Sequence, residues 1–150
     1  MILKKIKAHH LFLIVTILIL IIGLYNATDI DSTLDINVHN TYFVISNYHS
    51  TLALFIVYFF TGIIYWLFEN KTQKQLVKWL TFIHTAILIG SFILYWIVVL
   101  FSKLFITNDP FPFFDNQLIN ATLVTEFIII LFVAIPAFLV NVLIGLFRKV

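Results

Sequence analysis

Leu11–Leu24 reads LFLIVTILILIIGL, an apolar run broken only by Thr16 and Gly23. With its flanks from residue 8 to residue 25 it approaches the about 20 residues that a helix needs to cross a bilayer. Lys4, Lys5 and Lys7 precede it, as in a secretory signal. The run is too long for a signal's apolar region, however, and no Ala-x-Ala cleavage pattern follows. It is read as a membrane helix. Three further segments have the same character: 42–68, whose densest part begins at Ser50, then 77–101 and 120–147. Composition agrees. Of 150 residues, 62% are hydrophobic and 11% charged. A chain this small and this apolar cannot coat itself with enough polar surface to be soluble. It is also far too hydrophobic for disorder. The expected fold class is all-α: a polytopic membrane protein, one domain over 1–150, with four transmembrane helices in an antiparallel up-down bundle.

The loops orient the bundle. Lys4, Lys5 and Lys7 precede the first span, Lys71, Lys74 and Lys78 lie around the second connection, and Arg148 and Lys149 close the chain. The other two connections carry Asp29, Asp31, Asp35, Asp109 and Asp115, with Lys103 as their only basic residue. The excess of Lys and Arg on one side predicts that both termini are cytoplasmic. A bacterial-type inner (cytoplasmic) membrane is the expected location. Pro136 falls inside the fourth span, where it removes a backbone donor and should kink the helix. Asn108–Pro112 is read as a loop on the outer side. The Asp- and Asn-rich stretch from Asn26 to Asn40 is expected to be ordered by local side-chain acceptors.

Ionisable groups inside a bilayer are functional candidates by default. His49 lies early in the second span, roughly 10 Å below the outer surface if the helix begins at Tyr42. Glu126 enters the fourth span from the same side at similar depth, so a His49–Glu126 contact is expected. His84 enters the third span from the other side, which places it too far from His49 for both to hold one metal ion. Its bland reading is a neutral imidazole bonded to a neighbouring hydroxyl or carbonyl. His9 and His10 are set aside as juxtamembrane. With no cysteine there is no thiolate metal site. No phosphate-binding loop, nucleophile elbow or metalloprotease motif occurs, and no basic cluster suits a nucleic acid.

Leu34-Asp35-Ile36-Asn37-Val38-His39-Asn40-Thr41-Tyr42-Phe43-Val44-Ile45-Ser46-Asn47-Tyr48-His49 resembles a signature of haem–copper oxidase (cytochrome c oxidase) subunit I, approximately L-D-I-x-x-H-D-T-Y-[YF]-V-V-A-H-F-H. Gly62-Ile63-Ile64-Tyr65-Trp66 is similar to that family's Gly-Phe-Ile-His-Trp, and the stretch from Trp79 to Gly90 has its Trp and Gly spacing. The resemblance covers nearly the whole chain but only the family's last four helices. It implies that His49 stands at a haem axial ligand and that Asn47 replaces a second haem ligand. It further implies that His39 stands at a magnesium-associated histidine, weakened because Asn40 replaces an aspartate. The family's copper ligands lie on earlier helices, so by this resemblance the chain is not an oxidase by itself.

Three functions are therefore weighed. The first is a non-catalytic accessory subunit of a respiratory-chain membrane complex, with lipid, other membrane subunits or a second copy as its partners and no nucleic acid. The second is a haem-binding electron-transfer subunit using His49. The third is one piece of a split terminal oxidase. Haem is the only cofactor implied. Topology reporters at Val150 and at Asn108 should lie on opposite sides of the membrane; the same side at both would exclude four spans.

Overall fold

The computed structural model describes residues 7–26, 28, 32–39, 41–72, 75–105 and 117–148. Four of its helical segments are long and apolar enough to cross a membrane: Ala8–Asn26, Asn47–Asn70, Lys78–Phe105 and Gln117–Phe147. These are α1, α2 and α3, followed by a fourth span made of α4 (Gln117–Ile129), a π-helical turn (Ile130–Ala134) and α5 (Ile135–Phe147). The chain is an all-α polytopic membrane protein. Both described chain ends and the α2–α3 connection lie at one end of the bundle, here the terminal end. The opposite end is the hairpin end.

The hairpin departs from the sequence reading. The second span does not begin at Tyr42. Thr33–Val38 (β1) and Thr41–Ser46 (β2) pair antiparallel, with Thr33 opposite Ser46 and Val38 opposite Thr41. TYFVIS is β-branched and aromatic, a composition that suits a strand, and an apolar run of that length does not by its hydropathy declare helix or strand. His39, in the turn, has φ 57°, in the left-handed region that tight hairpins use. The helix starts only at Asn47, whose N–H donates to the Ser32 carbonyl at 3.2 Å. Asp29, Asp31, Asn40 and the Asn108–Pro112 loop lie outside the described residues.

α1 and α2 form a close antiparallel pair. Gly23 faces Thr51 so tightly that an added Cβ would collide with its side chain, and a Cβ at Gly62 would meet Phe12 Cβ at 3.2 Å. Lipid tails are as apolar as leucine, so close backbone approach through small residues supplies attraction that hydrophobicity cannot. α3 packs against α1 and, antiparallel, against the fourth span. Gly145 of α5 lies under Phe68 and Leu76, each 2.8 Å from where a Cβ would be. The core is formed by Phe12, Val15 and Ile19 of α1, Tyr58 and Tyr65 of α2, Leu88 of α3 and Ala134 of the π turn.

A π turn closely precedes Pro136. Pro136 cannot donate to the carbonyl four residues back, and its ring would crowd that carbonyl. The wider π turn before it absorbs both problems, and Ile135 N–H instead reaches the Ile130 carbonyl.

Two asparagines hold the fourth span at its ends. At the terminal end the fully buried Asn141 accepts from the Val77 N–H at 2.8 Å and donates to Thr81 Oγ1 at 2.8 Å. It thereby caps the first turn of α3 from another helix. At the hairpin end Asn120 accepts from Asn37 N–H at 2.7 Å and donates to the Asn37 carbonyl at 2.9 Å. It extends the β1 edge as a neighbouring strand would. The remaining surface is broadly apolar, with Trp79, Phe82, Ile97, Phe127, Phe132 and Leu139 among the exposed side chains.

The glycines give a sharp test in detergent-solubilised protein. Gly23→Val should destabilise the fold by about 1–3 kcal/mol through overpacking. Gly90→Ala, with nothing within 4 Å of the added Cβ, should be neutral or stabilising by up to about 1 kcal/mol. Thermal unfolding of the two variants would show the contrast, and equal effects would refute the α1–α2 packing described.

Candidate functional site

The polar residues fall into three levels along the bundle. At the hairpin end are Asn47 and His49. Asn47 opens α2: its N–H is tied to Ser32 and its carbonyl accepts the Ser50 hydroxyl at 3.0 Å. It is thus the joint between hairpin and helix. His49 lies in the first turn and is exposed, with its ring edge-on to Tyr48 at 5.5 Å. The late helix start corrects the depth inferred from Tyr42: His49 sits at the rim of the span and not a third of the way down. His39 is exposed at the hairpin turn. Among the described residues no group of three His, Cys, Asp or Glu side chains could hold a metal ion. Asp35 instead organises one hairpin face, accepting from Thr33 Oγ1 at 3.0 Å and from the Tyr42 hydroxyl at 3.1 Å. The hydrogen bond to this carboxylate, with slight desolvation and its charge, raises the Tyr42 hydroxyl above the usual tyrosine range.

Glu126 forms the middle level. It is buried, and its Oε1 has no hydrogen-bond partner among the described residues. The expected His49–Glu126 contact is not formed. Glu126 lies instead within electrostatic range of Tyr58 and Tyr95, and Tyr58 is nine residues beyond His49, about 13 Å along the helix. The shared depth inferred for the two residues failed because the hairpin takes up the chain that had been assigned to helix.

The third level, toward the terminal end, is the best connected. His84 is buried, and its Nδ1 shares a hydrogen bond of 2.9 Å with the Tyr65 hydroxyl. Its ring stacks on Phe138 at 4.7 Å and on Phe12 at 5.7 Å. α1, α2, α3 and α5 meet at this one imidazole. Closer to the terminal end, His9 is buried and its Nδ1 lies 2.6 Å from Glu69 Oε2, with Lys7 Nζ at 4.0 Å from the same oxygen.

His9 is juxtamembrane by its place in the sequence, yet it is buried and paired with Glu69. A signal did exist: Glu69 sits in the last turn of its helix, where the macrodipole disfavours an anion, so a partner from the adjoining helix start was to be expected. Asn141 carries a signal of the same kind, since an amide within LVNVL must find partners when buried. Which partners it finds is a tertiary fact.

The fold and its polar levels define a four-helix polytopic membrane protein with a short β-hairpin between its first two spans. Comparison with family models, with curated proteins and with solved structures finds no match.

Tyr65→Phe keeps the ring but leaves a buried imidazole nitrogen unpaired, and should cost about 1–3 kcal/mol. Unfolding midpoints of the solubilised variant would measure this, and an unchanged midpoint would show that the Tyr65–His84 bond is not structural.

Proposed function

We propose that this chain is a non-catalytic accessory subunit of a membrane complex, built like the last four helices of haem–copper oxidase subunit I, which its Leu34–His49 segment resembles. The observation that carries the reading is the Asn47–His49 turn. Where the resemblance implies two haem ligands, the chain has an asparagine engaged in the hairpin joint and an exposed histidine. An amide is a poor ligand for haem iron. The long apolar faces of α3 and of the fourth span are mostly uncovered by the chain itself, which suits packing against lipid and neighbouring subunits. The eight-to-one distribution of basic residues supports cytoplasmic termini and a bacterial-type inner membrane.

The second reading, haem-mediated electron transfer, rests on His49 retaining the family's histidine. The residues of one chain do not fit a bis-histidine haem there. His9 and His84 are engaged elsewhere, and His10 lies against His9 in the first turn of α1, at the end of the bundle away from His49. His39 lies at the far end of a six-residue strand, about 20 Å along the hairpin. A second axial ligand would have to come from a symmetry-related copy or another subunit.

Visible absorption of the purified protein separates the two. The accessory reading predicts no Soret band and, for His49→Ala, an unchanged spectrum with at most weakened assembly. A Soret band with sharp reduced α and β bands, lost in His49→Ala, would overturn it in favour of haem binding.

A further inference from the structure

Glu126 is a buried carboxyl that nothing above uses. It projects from α4 into the bundle and is 9% exposed, with Oε1 unpartnered. Tyr58 of α2 and Tyr95 of α3 lie within electrostatic range of it; β1, which also packs on α4, carries Asp35, whose carboxylate is engaged by Thr33 and Tyr42. The Tyr58 hydroxyl already donates to the Leu88 carbonyl at 2.6 Å. Among the described residues no cationic side chain pairs with Glu126; the ion pairs formed are to Glu69. One turn further along the same helix face, at Ile130, the helix widens into its π turn, a distortion frequent at functional sites.

An ionised carboxylate in this setting would leave the buried Oε1 unpaired, which is costly inside a bilayer. Two neutralising ligands are conceivable: a metal cation or a proton. A hard cation requires about six oxygen ligands, and among the described residues no group of three His, Cys, Asp or Glu side chains could hold one. A proton requires only the carboxyl itself.

We propose that Glu126 is a proton-binding site inside the bundle, a buried carboxyl at the level of Tyr58 and Tyr95 that takes up and releases a single proton. This does not rest on the accessory-subunit reading and survives its failure. A hydrophobic carbodiimide reports such a group. The acid O–H adds across one C=N bond, the proton going to nitrogen and the carboxyl oxygen to the central carbon. The O-acylisourea then rearranges to a stable N-acylurea, and nothing leaves.

The test uses the full chain in phosphatidylcholine vesicles, dicyclohexylcarbodiimide and peptide-resolved mass spectrometry. Glu126 should form the adduct faster than Glu69, whose carboxylate is engaged by His9 and Lys7 and which is the other glutamate of the chain. The Glu126 rate should fall about tenfold per pH unit once the acid ionises. Glu126→Gln should abolish that adduct while keeping the unfolding midpoint, since an amide mimics the neutral acid. Absence of the adduct at every pH, or a rate indifferent to pH, would overturn the proposal. Protection by sodium or potassium ions at fixed pH would overturn it in favour of a metal cation. A more than tenfold loss in the folding equilibrium of Glu126→Gln would overturn it in favour of a structural ion pair.

Discussion

In hydrocarbon a backbone or side-chain polar group has no water to turn to, and this constraint organises the molecule. Asn141 shows it most directly. The first N–H groups of α3 have no partner within their own helix. One of them, at Val77, is met by an amide carried on α5, which is itself completed by Thr81. The terminal end of the bundle thereby has its register set by hydrogen bonds, while packing of interchangeable apolar side chains could slide. Tyr58 does similar work at mid-level by donating to the Leu88 carbonyl, linking α2 and α3 through a long side chain.

Close packing then fills in around these links. The α1–α2 pair depends on Gly23 and Gly62, where absence of a Cβ lets backbones approach. The fourth span depends on local distortion: Pro136 would leave a carbonyl unmet in a regular helix, and the π turn redistributes the bonds while keeping the span continuous. Ala134, fully buried in that turn, lets it lie against the core.

The ionisable groups follow the same rule with differing success. His84 and His9 each find a partner, Tyr65 and Glu69, and become part of the structure. His49 escapes the requirement because α2 begins only two residues before it and leaves it exposed at the rim. Glu126 alone combines burial and an unmet oxygen among the described carboxyls. The residue singled out first by family resemblance and the residue singled out by solvation are therefore not the same.

Hydropathy was enough to establish four apolar helices long enough to span a membrane, because it depends only on the cost of placing residue types in a bilayer. The candidates His49, His84 and Glu126 were legible for the same reason: an ionisable residue in an apolar run is conspicuous. The strands were not, since TYFVIS is as apolar as a helix of that length and its period is too short to decide. That misreading carried His49 to a false depth and paired it with Glu126. His9–Glu69, Asn141–Val77 and Asn120–Asn37 join residues separated by 60, 64 and 83 positions. Sequence determines that such polar groups must be satisfied. Only the tertiary arrangement decides by whom, because the partner is chosen by the register in which the helices pack.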